Sequence, residues 1–201
     1  MKTKIYHITY HKNVRSLSLY FHGCNFMCKT CIRNETIWDI HLNDNIKRNL
    51  MTKDQFLSLS ELKKLISEFS INAEKAILEG YEPTLDNLLP EIIKILVNNN
   101  IEPILLTNGY LLSNFMNTLK NSGLERIQIS IKTVNPELHK KYTGTNVYPV
   151  LNNFIKAYEK GFNLSAESVY VPNIIEKHEI GEIAKFIASV DDNIPFRLSL
   201  I

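Results

Sequence analysis

The hydrophobic pattern of this chain switches period repeatedly, between two and about 3.6 residues, and that alternation limits its possible folds most. Ser16–Phe21 alternates as a strand does. Leu62, Leu65, Ile66 and Phe69 then fall at helical spacing, with Ser58 and Glu61 forming a capping-box signature before them. Ala76–Leu78 is a short apolar run stopped at Glu79-Gly80, and Leu85, Leu88, Leu89, Ile92, Ile93 and Leu96 make a helical stripe. Ile104–Leu106 predicts a third strand stopped by Asn108-Gly109, followed by a helix carrying Phe115, Met116 and Leu119 that Gly123 ends. Ile127, Ile129 and Ile131 make a fourth strand. Pro149 opens a helix with Val150, Leu151, Phe154, Ile155 and Tyr158, ended by Gly161. A fifth strand near Leu164–Val171, a helical face at Ile180, Ile183, Ala184 and Ile187, and a sixth strand at Phe196–Leu200 complete the pattern.

Strands alternating with helices imply right-handed crossovers and a parallel sheet. Six such units, the last without its helix, predict an α/β fold: a doubly wound sheet or a partial (β/α)6 barrel of the TIM type. The strand faces favour the barrel. Gln128, Ser130 and Lys132 share one face opposite the isoleucines; Ser16, Ser18, Tyr20 and His22 share another; Arg197 and Ser199 oppose Phe196, Leu198 and Leu200. A closed eight-stranded barrel fills its interior with branched aliphatics, whereas a polar inward face suits a ligand-filled cavity. Residues 1–201 are expected to form one domain. Its stretch 34–57 lacks clear periodicity and is expected to be a mobile flap or a disordered loop.

With 44% hydrophobic and 22% charged residues, the chain has the balance of a globular domain with a substantial core. Its formal net charge is +2 and no basic block stands out, so nucleic acid is not an expected partner. Met1–His7 lack the apolar core of a signal peptide, and no stretch nears the roughly 18 apolar residues of a membrane span. A cytoplasmic location is expected, where three clustered cysteines suit a metal better than disulfides.

Those cysteines are Cys24, Cys28 and Cys31, in a loop from 22 to 33 that follows the first strand. Three thiolates are one short of the usual set for an iron–sulfur cluster and of a closed structural zinc site. On spacing alone the loop is an iron–sulfur ligand set with one open position, a zinc site completed by His22 or His41, or three free thiols. Further motifs stand at the next strand ends, where (β/α) folds place function. Gly80-Tyr81-Glu82-Pro83 follows the second strand, Thr107-Asn108-Gly109 the third, and Ser130 with Lys132 ends the fourth. Singly, each has a plain reading as turn chemistry or a solvated lysine. The six histidines show no catalytic spacing and read as structural or solvent-facing.

Together these motifs resemble those of the radical S-adenosylmethionine (SAM) enzymes, from about Leu17 onward. The resemblance implies that Cys24, Cys28 and Cys31 hold a 4Fe–4S cluster whose fourth iron SAM chelates. It implies that Gly80, Tyr81, Glu82 and Pro83 grip the methionine amino group through backbone and carboxylate. Thr107 and Asn108 would contact ribose and amino group, and Ser130 and Lys132 would lie over SAM, with Lys132 pairing the methionine carboxylate. Tyr81 stands where a second glycine is usual, Ser130 where an aspartate is, Thr30 where many relatives have an aromatic, and Glu167 where some have an arginine. The branch most resembled is the glycyl-radical-enzyme activating enzymes, through Gly23–Phe26, Glu82–Leu85 and Lys141–Thr145. The implied chemistry is reductive cleavage of SAM to a 5′-deoxyadenosyl radical that abstracts a hydrogen atom, with a flavodoxin- or ferredoxin-type electron donor. A protein substrate is expected, reaching an open barrel side, with residues 34–53 as contact surface and Trp38 as anchor. The alternatives are a small metabolite, with the loop as lid and Trp38 in the core, and a non-catalytic zinc- or cluster-binding module.

Overall fold

The computed structural model describes residues 1–42 and 56–200. Seven strands form one sheet: β1 (Ile5–His11), β2 (Ser16–Phe21), β3 (Lys75–Gly80), β4 (Glu102–Thr107), β5 (Arg126–Ser130), β6 (Asn163–Tyr170) and β7 (Phe196–Leu200). Their order in space is their order in sequence. Pairing is parallel from β2 to β7, and β1 runs antiparallel to β2. A doubly wound sheet reverses its strand order at a switch point. This one does not, and residues of β2 through β7 line a single cavity. The sheet is therefore a curled, unclosed barrel.

All six expected strands are present, and β1 is an addition. Its sequence, Ile5-Tyr6-His7-Ile8-Thr9-Tyr10-His11, is β-branched and aromatic. A short 3-10 turn (Lys12–Val14) and Arg15, in the left-handed region at φ 49°, lead it into β2.

The described α-helices are α1 (Ile32–Glu35), α2 (Leu59–Phe69), α3 (Leu89–Asn98), α4 (Met116–Asn121), α5 (Pro136–Thr143), α6 (Tyr148–Glu159) and α7 (Lys177–Val190). Leu62 and Ile66 of α2, Ile92, Ile93 and Leu96 of α3, Val150 and Phe154 of α6, and Ile183 and Ile187 of α7 share one buried cluster. The outward residues of the strands, among them Leu17, Leu19, Leu78, Leu105, Ile127 and Ile129, fill the other side of it. Each such aliphatic side chain contributes about 1.5–3 kcal/mol by leaving water. The capping box forms before α2: Ser58 accepts from Glu61 N while Glu61 accepts from Ser58 N.

Two stretches differ from expectation. The stripe from Leu85 is broken: Pro83–Leu85 is a 3-10 turn, Asp86 accepts from Lys4 N and Leu88 N, and α3 begins only at Leu89. Helix α5 was not expected. Asn135 caps it by accepting from Glu137 N and Leu138 N, Pro136 sits in its first turn, and Gly144 ends it at φ 80°.

Part of the expected loop at 34–57 is ordered against the protein itself. Tyr6 donates its hydroxyl to Ile37 O, and the Trp38 ring packs against Tyr6 and His7 at centroid distances of 6.1 and 5.2 Å. Trp38 is thus half-buried in an aromatic group of its own chain. Residues 43–55 of that expected loop and contact surface lie outside the described residues.

Candidate active site

The strand-end motifs converge on a cavity of about 990 Å³. Cys24, Cys28, Cys31, Gly80, Tyr81, Thr107, Asn108, Ser130 and Lys132 all line it; Glu82 and Pro83 do not.

The cysteine loop leaves β2 through Gly23 at φ 89° and is pinned on two sides. Met27 N donates to Thr143 O at 2.8 Å, and the hydroxyls of Thr30 and Tyr142 meet at 2.6 Å. From the other side, Asn108 Nδ2 donates to Asn25 Oδ1 at 2.8 Å and reaches Cys24 Sγ at 3.7 Å. Phe26 is buried edge-on against Tyr110 and His139, which anchors the loop's apolar side. All three thiols are free of disulfides. Burial pushes the Cys24 thiol up to about 11, aided by Glu82 and Cys28, while the Phe26 N–H pulls it down. Burial likewise raises Cys28.

This donor set fits an iron–sulfur cluster: three soft sulfurs from one short loop, all lining the same cavity. Among the described residues no three thiol, imidazole or carboxylate groups converge at metal-binding distance. The imidazoles that a zinc site would recruit line the same cavity and pack against aromatic neighbours. His22 lies against Tyr81 and Phe56, and His41 lies edge-on to His11.

After β3 the chain turns at Gly80, whose φ is 108°. A Cβ there would meet Phe21 N and Phe21 O at 2.8 Å, so this position demands glycine. Tyr81 is not in the left-handed region, and the departure from a second glycine therefore carries no backbone strain. Its ring packs against His22 and Tyr6.

Glu82 is fully buried. Its carboxylate accepts from Thr84 N (3.1 Å), Thr84 Oγ1 (2.6 Å), Thr107 Oγ1 (2.6 Å) and Asn108 N (2.7 Å). Burial pushes this carboxyl's pKa up, and those hydrogen bonds pull the other way. The carboxylate joins the turns after β3 and β4 and is turned away from the cavity, unlike the ligand-gripping group expected there. Pro83 is buried at the start of the same 3-10 turn. Lys132 Nζ donates to Ser130 Oγ at 2.6 Å, so the two expected residues stand together on the cavity wall.

Sequence reasoning passed over Asn25, Tyr142 and Thr143 as supports of the cysteine loop. It also passed over Glu79, which lies on the cavity face of β3 opposite Tyr20. The period-two alternation that placed Gln128, Ser130 and Lys132 inward places Tyr20 and Glu79 inward too.

The family model described as the radical SAM superfamily matches residues 18–187. The chain belongs to the radical SAM superfamily. Radical SAM proteins bind a 4Fe–4S cluster and SAM and need an electron donor. Among curated relatives, a "Probable GTP 3',8-cyclase" of Methanococcus aeolicus is 42% identical over 142 residues, covering 69% of this chain and 44% of that protein. A "Putative glycyl-radical enzyme activating enzyme" of Methanocaldococcus jannaschii is 30% identical over 187 residues, covering 91% of this chain and 66% of that protein. The chain thus spans between under half and about two thirds of these relatives. Among solved structures, the radical SAM fold recurs in Streptococcus suis SuiB bound to S-adenosylmethionine, with TM-score 0.67 and 15% identity over 88% of this chain and 38% of SuiB. Methylornithine synthase matches with TM-score 0.63 and 16% identity over 92% of this chain and 52% of its own. No helix among the described residues is long and apolar enough to cross a membrane.

Proposed function

We propose that this chain is the barrel of a hydrogen-abstracting radical SAM enzyme whose substrate is a small molecule seated inside the barrel. The observation that carries the reading is the reach of the cavity. It continues from the cysteine loop past the strand ends to Ser16, Ser18, Ile77 and Ile104, deep among the strands. From Phe21 to Ser16 that is five residues of β2, a depth of roughly 16 Å at about 3.3 Å per residue. This leaves room for a substrate beneath SAM.

In this reading Cys24, Cys28 and Cys31 hold the cluster, and Asn108 steadies the first of them. The turn at Gly80 and Tyr81, with Thr107 and Asn108, receives SAM, and Lys132 pairs with its carboxylate while Ser130 orients the ammonium. Glu82 positions Thr107 and Asn108. When bound, such a cluster would supply the one electron for reductive cleavage of SAM to methionine and a 5′-deoxyadenosyl radical able to take the substrate hydrogen. The barrel wall excludes water from that radical. A flavodoxin- or ferredoxin-type protein of the cytoplasm supplies the electron. A second reading, an activase acting on a protein, is favoured by the alignment of the Methanocaldococcus relative over 91% of the chain.

Anaerobic reconstitution tests the proposal. The loaded protein is expected to carry about four irons and to cleave SAM under reduction. Stoichiometric zinc that reconstitution leaves in place would overturn it in favour of a zinc module. To separate the two substrates, 5′-deoxyadenosine formation is measured with the small-molecule and the macromolecular fractions of a cell extract. Stimulation by the macromolecular fraction alone would transfer the assignment to the activase reading.

A further inference from the structure

The turn after β4 holds a side chain whose hydrogen bonds can all be placed. Asn108 is 7% exposed, and its amide has a carbonyl oxygen and two N–H groups to satisfy. Oδ1 accepts from Tyr110 N at 2.9 Å. A backbone N–H needs an acceptor, so that bond fixes which way round the amide lies and turns Nδ2 towards the cysteine loop. One N–H of Nδ2 goes to Asn25 Oδ1 at 2.8 Å, and the other goes to Cys24 Sγ at 3.7 Å. A second donor meets the same sulfur, since Phe26 N lies 3.3 Å from it. Among the described residues, Cys24 is the cysteine whose sulfur a side-chain N–H reaches.

The turn that carries this amide is tied down from two sides. Glu82 accepts from Asn108 N at 2.7 Å and from Thr107 Oγ1 at 2.6 Å, and Thr107 Oγ1 accepts from Gly109 N at 3.0 Å. Buried Asn153 of α6 donates its Nδ2 to Gly109 O at 2.8 Å and to Tyr110 O at 3.0 Å. Tyr110 also meets Phe26 edge-on, with ring centroids 5.8 Å apart. Both donors to Cys24 are therefore set by the same turn.

We infer that Asn108 is a redox-positioning residue: its side-chain N–H raises the reduction potential of the cluster that Cys24, Cys28 and Cys31 hold. Reduction adds one negative charge, which the ligand sulfurs share. An N–H aimed at such a sulfur stabilises the reduced form more than the oxidised one, and the more so where little water competes. A weaker electron donor can then reduce the site. The inference rests on the iron–sulfur reading of the cysteine loop and adds what tunes it. It is separate from the contact with SAM assigned above to Asn108, because it acts with no SAM present.

The test uses anaerobically reconstituted protein without SAM. Electron paramagnetic resonance follows the reduced cluster while the solution potential is stepped. Asn108→Ser removes the N–H donor, keeps a short hydroxyl for the turn and adds no charge. At a fixed potential its ratio of reduced to oxidised cluster should fall about tenfold, the loss of one charge-assisted bond, or about 59 mV for a one-electron couple. Asn108→Asp keeps an oxygen for Tyr110 N but sets a negative charge beside the sulfur, and should lower the potential further. Iron content and melting curves on the same samples show that each variant is loaded and folded. A purely structural support would change those two readings and leave the potential of the loaded fraction in place. Wild-type protein with isotope-labelled nitrogen in its asparagine side-chain amides gives a reading that needs no variant. Pulsed resonance of its reduced cluster should show a coupling to the labelled nitrogen, and Asn108→Ser should lose it. A wild-type potential in loaded Asn108→Ser, or no coupling in labelled wild-type protein, overturns the inference. If wild-type protein assembles no cluster, the iron–sulfur reading fails instead, so the two failures are distinguishable.

Discussion

Glu82 joins two strand-end turns of the candidate site from behind its cavity wall. Four donors from two turns point at its carboxylate. Glu82→Gln presents N–H groups where acceptors are required and strands part of that set. A loss of about 1–3 kcal/mol follows, read as a melting temperature lower by roughly 2–4 °C per kcal/mol. Lys132→Ala, which removes a cavity-facing charge, should leave the melting curve near wild type and weaken SAM by ten- to a hundredfold, about 1.5–3 kcal/mol. An unchanged SAM affinity in calorimetry would sink that role for Lys132. Glu79 carries a pH signature. Its folded pKa is raised by burial above the ordinary 4.5, so its contribution to stability is complete below that value and lost as pH rises through the raised one. Thermal melts from acid to neutral pH should therefore show a decline in wild-type protein that Glu79→Gln lacks.

Among the elements, Gly80 and Ser58 make the sharpest claims. Gly80→Ala drives a methyl into the backbone of Phe21 at a positive φ, and the expected outcome is loss of soluble, cluster-loading protein. Ser58→Ala removes only the cap of α2 and should cost about 0.5–2 kcal/mol in denaturant unfolding. Both positions were legible in the sequence, because a stop after an apolar run and a capping box are local signals. Strand β1 was not. A register shift between Ile5 and His7 breaks its period-two pattern, and two histidines and a threonine dilute its apolar face. Helix α5 hid for a related reason. It is short, and among its residues His139, Tyr142 and Thr143 are the buried ones, so it shows no aliphatic stripe. Its Asn135-Pro136-Glu137 start was the available cue. The strand-end motifs could be placed from sequence, since each follows its own strand. The direction of Glu82 could not, because its partners Thr107 and Asn108 come from the next strand end.

For the molecule as a whole, the cavity ties binding to stability. A ligand held only by the folded barrel stabilises it by about 2.7 kcal/mol at a hundred times its Kd, an upward shift of roughly 5–10 °C for a chain of this size. Anaerobic melting of reconstituted protein with and without saturating SAM measures this, and the Cys24→Ala, Cys28→Ala and Cys31→Ala proteins should show no such gain along with no iron. The strand order has a different consequence. Each strand's hydrogen-bonded partners are the strands directly before and after it in sequence. A nascent chain therefore always finds the edge it needs already formed, and no strand waits for a distant one to emerge. Sheet growth becomes a one-directional zipper, begun by the β1–β2 hairpin, whose loops are closed one crossover at a time at low entropic cost. The cysteine loop, which follows β2, leaves the ribosome before most of the barrel that will shelter it. Shielding of its thiols is consequently a late event, reached only when α5 arrives to hold Met27 and Thr30 from the far side.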